Sequence, residues 1–111
     1  MDKGENPKTH TIKITVDDDG NFTYDNPLIW VYPGDTIIWE CANDCPFAIH
    51  IGWNSPLERG RFRSVKGDRV KTVVPEGARP DNYEYTVAVF IEGDIWTDDP
   101  PFIVKPPPKR H

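Results

Sequence analysis

Hydrophobic and polar residues alternate strictly in two segments of the chain. In residues 10–16, Ile12, Ile14 and Val16 fall on one face of an extended strand, and the residues between them fall on the other. Residues 83–89 repeat this pattern, and one face carries Tyr83, Tyr85, Val87 and Val89. A period of two residues is typical of strands that bury one face. Both segments are therefore predicted to be half-buried β-strands.

Turn-forming residues divide the rest of the chain into short apolar segments. The turn signals are Gly20, Pro33-Gly34, Gly67-Asp68, Pro80-Asp81 and Gly93-Asp94. Further strands are predicted between them, at residues 22–24, 28–31, 36–40, 69–74 and 102–104. Residues 55–58 combine a cap residue, a first-turn proline and a glutamate, which predicts one helical turn inside a long loop. About seven strands joined by turns predict an all-β antiparallel sandwich or barrel.

Composition limits both the size and the partners of this fold. The chain has 111 residues, enough for one domain, and a net charge of −5. The acidic balance disfavours nucleic acid as a partner, and no apolar run is long enough for membrane insertion. We expect a soluble, acidic monomer with a domain at residues 9–104, a flexible tail at 1–8 and a Pro-rich tail at 105–111. The first residues lack a signal peptide, so the chain as written is expected in the cytoplasm, or outside the cell if a leader has been removed.

Residues 31–39, VYPGDTIIW, resemble the V-x-x-G-D-T-V-x-W stretch of the cupredoxin superfamily. The resemblance extends over residues 28–104 and implies a Greek-key β-sandwich, cupredoxin-like, of about seven strands. In copper-binding members a histidine ligand follows a proline, where this chain has Pro46 and Phe47. The other ligand positions correspond to Val87, Phe90 and the loop at residues 93–101. None of these side chains is a soft copper ligand, so the resemblance implies the fold without a type 1 copper site.

Both cysteines of the chain lie close to a histidine, in the pattern Cys41-x3-Cys45-x4-His50. Thiolate and imidazole ligands suit copper or zinc, so these three residues form a candidate metal site. The segment between the cysteines is favourable for a turn, so Cys41 and Cys45 are also a candidate disulfide. Two thiols and an outward-facing surface histidine are the remaining alternative. The sequence leaves all three open.

The acidic clusters do not predict an enzyme. Residues 17–21, DDDGN, lack the alternating acids and the final glutamate of an EF-hand calcium loop, which favours a solvated turn. Asp98 and Asp99 are adjacent, so in an extended segment they point to opposite sides and would not act as a catalytic pair. No catalytic triad or phosphate-binding glycine loop is present. We therefore expect no catalytic residues.

These observations favour a non-catalytic binding or interaction module that needs no cofactor and binds a protein partner. The loop at residues 93–101 is predicted to lie at the same end of the sandwich as Pro46. The predicted interaction surface comprises Phe47, Trp53, Phe90, Trp96, Asp98 and Asp99. Its aromatic rings would either fill the vacant copper site or anchor a partner. One alternative function is copper binding or electron transfer through Cys41, Cys45 and His50. Another is carbohydrate binding on exposed tryptophan rings.

Overall fold

The structure, a computed structural model, describes residues 7–26, 29–42 and 44–106. The described residues contain no helix and eleven short strands. The strands are β1 (Thr9–Val16), β2 (Phe22–Tyr24), β3 (Ile29–Val31), β4 (Thr36–Cys41), β5 (Phe47–His50), β6 (Arg61–Ser64), β7 (Val70–Val73), β8 (Asp81–Glu84), β9 (Thr86–Ile91), β10 (Asp94–Asp98) and β11 (Pro101–Val104). The outer parts of the two predicted tails, residues 1–6 and 107–111, lie outside the described residues.

The strands form three sheets, with the orders β2-β1-β4-β7, β10-β9-β5-β6 and β3-β11-β8. Most neighbours are antiparallel, but β1 pairs with β4 and β3 pairs with β11 in parallel. The predicted all-β sandwich is confirmed, although it contains eleven strands and is not purely antiparallel. The additional strands are β5, which was not among the predicted strands, β6, in the predicted long loop, β10, in the predicted loop at 93–101, and one more from the division of residues 83–89 into β8 and β9.

The alternating residues of the sequence form the core between the sheets. Ile12, Ile14 and Val16 of β1 are all buried, as their spacing predicts. At the centre lies Trp39, whose indole N–H donates a hydrogen bond of 3.2 Å to the hydroxyl of Tyr85. Because the indole ring is completely buried and its one polar group is satisfied, it contributes burial free energy without the cost of an unpaired donor.

At Tyr85 the chain passes from one sheet to another. β8 pairs with β11, and β9, which begins one residue after Tyr85, pairs with β5 and β10. The Tyr85 backbone N–H donates to Pro100 O at 3.1 Å instead of to a strand partner. The four residues predicted on one face, Tyr83, Tyr85, Val87 and Val89, are all buried. Tyr83 lies on β8 and Val87 and Val89 lie on β9, so two sheets contribute these side chains to the same core.

Asp35 holds the turn between β3 and β4. Its carboxylate is buried and accepts hydrogen bonds from the backbone N–H groups of Lys8 and Tyr32, each at 3.0 Å, and from His10 Nε2 at 2.9 Å. The backbone N–H of Asp35 also donates to Tyr32 O. The Gly-Asp of the turn therefore ties the start of β1 to the β3–β4 connection.

The segment at residues 55–58 is not helical, contrary to the prediction. The Ser55 hydroxyl accepts a hydrogen bond from Leu57 N at 3.1 Å and donates to Arg59 O at 2.7 Å. Serine hydroxyls support isolated turns in this way as well as helix starts, so the same residues gave a misleading signal. The result is a turn that anchors buried Pro56 and Leu57 beneath the loop.

Candidate functional site

The end of the sandwich where the resemblance places copper is built from apolar side chains. Phe47 and Val87, at two ligand positions, are buried in the core, and Phe90, at a third, is 47% exposed. The Phe90 N–H donates to Pro46 O at 2.9 Å, so the start of β5 and the end of β9 meet at this end. Aromatic and aliphatic side chains offer no lone pair to a metal. The residues at these positions therefore do not fit a type 1 copper ion.

Cys41 and Cys45 flank a tight turn beside this end. Cys41 is buried at the end of β4, and Cys45 is partly buried ahead of β5. Asp44 closes the turn with a positive φ of 54° and an N–H that donates to Cys41 O at 3.1 Å. Both residues are thiols in this structure. Burial raises the pKa of the Cys45 thiol, and Cys41, Asp44 and Glu92 raise it further, which favours a protonated, weakly nucleophilic sulfur.

His50 lies at the opposite end of β5 from the cysteines. Its side chain is exposed, and its strand neighbours are Arg61 and Thr86. It is five positions from Cys45 along the chain, which in an extended conformation is a distance of about 16 Å. Among the described residues, no group of three or more His, Cys, Asp or Glu side chains lies close enough to hold a metal ion. The candidate site of Cys41, Cys45 and His50 is therefore not assembled.

Trp96 lies on β10, opposite Val89, and faces inward. Its ring packs against the core and covers Gly20 so closely that a Cβ atom there would overlap it. The predicted loop at 93–101 is therefore mostly a strand, and only its Gly93 turn lies at the Pro46 end. Trp96 fills space in the sandwich, as the core-filling alternative predicts.

Asp98 and Asp99 point to opposite sides of the strand, as their adjacency predicts. Asp98 accepts a hydrogen bond of 2.6 Å from the Tyr24 hydroxyl, and Asp99 accepts one of 2.8 Å from the Thr86 hydroxyl. Burial, together with Asp98, strongly raises the pKa of Tyr24 and keeps that phenol protonated as a donor. Each carboxylate is therefore occupied in joining strands.

Trp53 is the most exposed of the large apolar side chains that the structure describes, at 97%. It lies on the loop at residues 51–60 between β5 and β6, which we call the Trp53 loop. The neck of the loop is closed by hydrogen bonds to Gly60 O from Ile51 N, at 2.7 Å, and from Gly52 N, at 2.9 Å. No Cβ atom would fit on Gly60 against the Gly52 backbone, so the neck requires glycine there. The hydrogen bonds at the neck and the buried residues Pro56 and Leu57 fix the loop, so that the Trp53 indole is held in solvent.

The side chains around Trp53 are mostly basic, although the protein is acidic as a whole. His50, Arg59 and Arg61 line a shallow depression of about 430 Å³ beside the indole, and Glu58 is its one acidic residue. The arginines are not among the site residues predicted from the sequence. The alternation in Arg61-Phe62-Arg63, which buries only the phenylalanine, is the signal that could have placed them on a strand face.

The six residues of the predicted interaction surface do not form one surface. Phe47 and Trp96 contribute to the core. Phe90 lies on an outer sheet face beside Pro46, whereas Trp53 lies beyond the other end of β5. A further aromatic pair escaped the sequence analysis: Trp30, 54% exposed, and Tyr32, 36% exposed, at alternate positions beside buried Val31. Their alternation with Val31 was the available signal.

Comparison with solved structures identifies the fold. It is similar to pseudoazurin from Hyphomicrobium denitrificans, with 13% identity and a TM-score of 0.55 over 89% of this chain and 77% of that one. An oxidised amicyanin variant gives 14% identity and a TM-score of 0.54 over 87% of this chain and 82% of that one. A purple cupredoxin from Nitrosopumilus maritimus gives 16% and 0.51, over 84% and 98%. No protein-family model and no curated protein matches the chain. The predicted cupredoxin-like fold is confirmed.

Proposed function

We propose that this protein is a non-catalytic, cupredoxin-like interaction module that uses no cofactor and binds a protein partner through Trp53. The observation that carries the proposal is the 97% exposure of this indole on a loop closed by hydrogen bonds at its neck. Tryptophan is enriched among the residues that dominate the free energy of protein interfaces.

The free energy available at Trp53 is large. A tryptophan side chain can bury about 150–250 Å². At about 25 cal/mol per Å², burial of this area corresponds to a free energy of about 4–6 kcal/mol. Because the side chain stays exposed on folding, this free energy is available for binding a partner. Because the neck of the loop is already ordered, little conformational entropy would be lost on binding.

The charges around Trp53 favour an acidic partner. Arg59 and Arg61 line the depression beside the indole together with a single acidic residue, Glu58, whereas the whole chain has a net charge of −5. A local charge opposite to the net charge steers association toward one face of the molecule and disfavours basic partners. The partner would present an apolar pocket for the indole, with carboxylates around it.

The test compares the wild type with Trp53→Ala and, as a matched control, Trp30→Ala, which removes the other exposed tryptophan from a different sheet. Each tagged variant is used to isolate binding proteins from native extract, and affinity for the purified partner is measured by calorimetry. We expect Trp53→Ala to keep the wild-type melting temperature and weaken binding about 30-fold or more, as for a central interface residue. Trp30→Ala should bind as the wild type does. Equal binding by Trp53→Ala would refute the proposal.

Carbohydrate binding is a second candidate, favoured by Trp30 and Tyr32. Both rings lie on the outer face of the β3-β11-β8 sheet, where Trp30 shares a row with Ile103 and the polar residue Asn82. Lys105 Nζ lies 3.9 Å from the centroid of the Trp30 ring and holds this side chain against β11. Tryptophan fluorescence titrated with neutral oligosaccharides tests this function. A saturable change that Trp30→Ala abolishes would support it, and no change would exclude it.

A further inference from the structure

The outer face of the β10-β9-β5-β6 sheet carries an exposed apolar row at one end. Strand register places Ile95 beside Phe90, and Phe90 N bonds to Pro46 O. Val65 follows Ser64, the partner of Phe47, and so lies beside Pro46. Ile95 is 68% exposed, Val65 is 69% and Phe90 is 47%. Three large apolar side chains in a line across adjacent strands form a patch of the kind that marks interaction sites.

The centre of this face is nearly flat. Ala48 pairs with Ala88 on the two inner strands, and the row continues to Thr97 at one edge and Arg63 at the other. Methyl side chains at the centre allow a second sheet to approach to the usual spacing of about 10 Å. Nothing in the described part of the chain covers this face.

The two edges of the face carry opposite charges. Beside the β10 edge lies exposed Asp99, and the β6 edge has exposed Arg61 and Arg63. The third row of the face runs from Asp99 through Thr86 and His50 to Arg61. The face is therefore divided into an acidic side and a basic side, with the apolar row across one end.

We propose that this outer face is a homodimer interface in which two copies pack about a two-fold axis parallel to the strands, between β9 and β5. A rotation of 180° about that axis places β10 of one copy over β6 of the other and keeps each row over the same row. Ile95 then meets Val65 of the second copy, Ala88 meets Ala48, and Asp99 meets Arg61. An axis across the strands would instead keep each strand over itself. If that axis lay over the middle row, Asp99 would face Ile95 and Arg61 would face Val65; if it lay over the third row, Asp99 would face Asp99 and Arg61 would face Arg61. Charge therefore selects the first arrangement.

The dimer is expected to be weak. Four strands about 4.8 Å apart and three rows about 6.6 Å apart project to roughly 400 Å² per copy. The accessible area buried would exceed this flat projection, because side chains protrude from the sheet. Specific interfaces usually bury about 800 Å² per partner, so the buried area of this interface would still be small. The dissociation constant should lie in the micromolar range. This proposal differs from the monomer expected from the sequence.

The axis has a consequence that rests on the proposed function. Rotation about a line parallel to the strands leaves both Trp53 loops at the same end of the dimer. Two indoles on one side would bind a partner with two sites more tightly than a single copy could, because the second contact becomes intramolecular.

The test is sedimentation velocity of the full chain across the micromolar range. We expect a reversible monomer–dimer equilibrium that Ile95→Glu weakens about tenfold or more, without a change in melting temperature. The matched control is Val73→Glu, an exposed apolar residue on β7 of another sheet, which should dimerise as the wild type does. Val65→Glu should reproduce Ile95→Glu from the other edge.

The charge pair tests the axis. Arg61→Glu should weaken the dimer, and adding Asp99→Arg to that variant should restore it. If Arg61→Glu strengthened the dimer, arginines would face each other and the axis would be wrong. A wild type that stays monomeric throughout, or equal dissociation by Val73→Glu and Ile95→Glu, would overturn the interface. Neither outcome bears on Trp53, whose binding is measured separately below the dissociation constant of the dimer, with Arg61, which lines both sites, left unchanged.

Discussion

Replacing Asp35 by asparagine should destabilise the fold strongly for a geometric reason. In the structure Oδ1 accepts the Lys8 N–H, and Oδ2 accepts both the Tyr32 N–H and His10 Nε2. An asparagine has one oxygen and one NH₂ group in place of the two carboxylate oxygens. Its NH₂ group would therefore point at one of the donors that now bind Oδ1 or Oδ2. The better orientation keeps the oxygen at the Oδ2 position and loses the bond to Lys8. The remaining bonds would also lose the strengthening that a charged acceptor provides.

These losses set the magnitude. One hydrogen bond to a charged group contributes about 1.5–3 kcal/mol, and the weakening of two others adds to this. Lys8 is exposed, so water can partly satisfy its N–H group. We expect Asp35→Asn to lower the free energy of unfolding by about 2–3 kcal/mol, equivalent to about 8–12 °C in melting temperature. Urea denaturation at pH 7 measures the change.

The effect should depend on pH. Burial raises the pKa of Asp35, but the hydrogen bonds from Lys8, His10 and Tyr32 outweigh it and hold the pKa below the ordinary value of 3.8. A lowered pKa in the folded state adds stability above the ordinary value, and this is lost as pH falls through the folded pKa. The difference between wild type and Asp35→Asn should therefore shrink between pH 5 and the acid limit of folding. A difference that is constant over this range would refute the reasoning.

Asp17 provides the matched control for this experiment. Its carboxylate also accepts three hydrogen bonds, from Asp19 N, Asn21 N and the Asn21 side chain, and these bonds lower its pKa. Unlike Asp35 it is exposed, so water can replace each bond. Asp17→Asn should be much less destabilising. Equal effects would mean that burial of Asp35 contributes little.

Three further predictions concern the Pro46 end of the sandwich and its surroundings. Trp96→Ala should lower the free energy of unfolding by about 2–4 kcal/mol, because the ring is half-buried against the core. Gly20→Ala should also lower the melting temperature, because it forces a methyl group into that ring at a backbone φ of 86°. A neutral result for either variant would contradict the packing of Trp96 on Gly20. Protein mixed with Cu(II) should stay colourless, since Phe47 offers no ligand, and an intense thiolate-to-copper absorption would overturn the alignment. Alkylation under denaturing, non-reducing conditions should label both Cys41 and Cys45 in reduced protein; after mild oxidation, protection of both would reveal a disulfide, stabilising by about 1–2 kcal/mol.

Strand prediction succeeded where one face is apolar and failed where it is not. Residues 10–16 alternate because one face of β1 enters the core, and their burial follows that pattern. β6 has a single buried apolar residue, Phe62, between two arginines, and β10 carries aspartate at both ends. Both are edge strands of one sheet, where charged residues are common and the hydrophobic signal is weak.

The candidate site was harder to predict because exposure depends on the path of the chain. Trp39 and Trp53 have the same side chain, yet one is fully buried and the other is 97% exposed. What separates them is the neck at Gly52 and Gly60, which brings residues eight positions apart into hydrogen-bond contact. The sequence pattern around Trp53 contains no period from which that contact could be inferred.

The residues that carry the resemblance to cupredoxins explain why the fold persists without the ligands. In the stretch at residues 31–39, Val31 and Trp39 are buried in the core, Gly34 has a φ of 95°, and Asp35 ties the turn to β1. Each of these roles concerns packing or backbone conformation, and none touches a metal. A phenylalanine at a ligand position adds apolar burial to the same core, so loss of the ligand need not cost stability. The motif thus specifies the sandwich alone, and the function of this chain has to be sought where its side chains depart from what packing requires, first of all at Trp53.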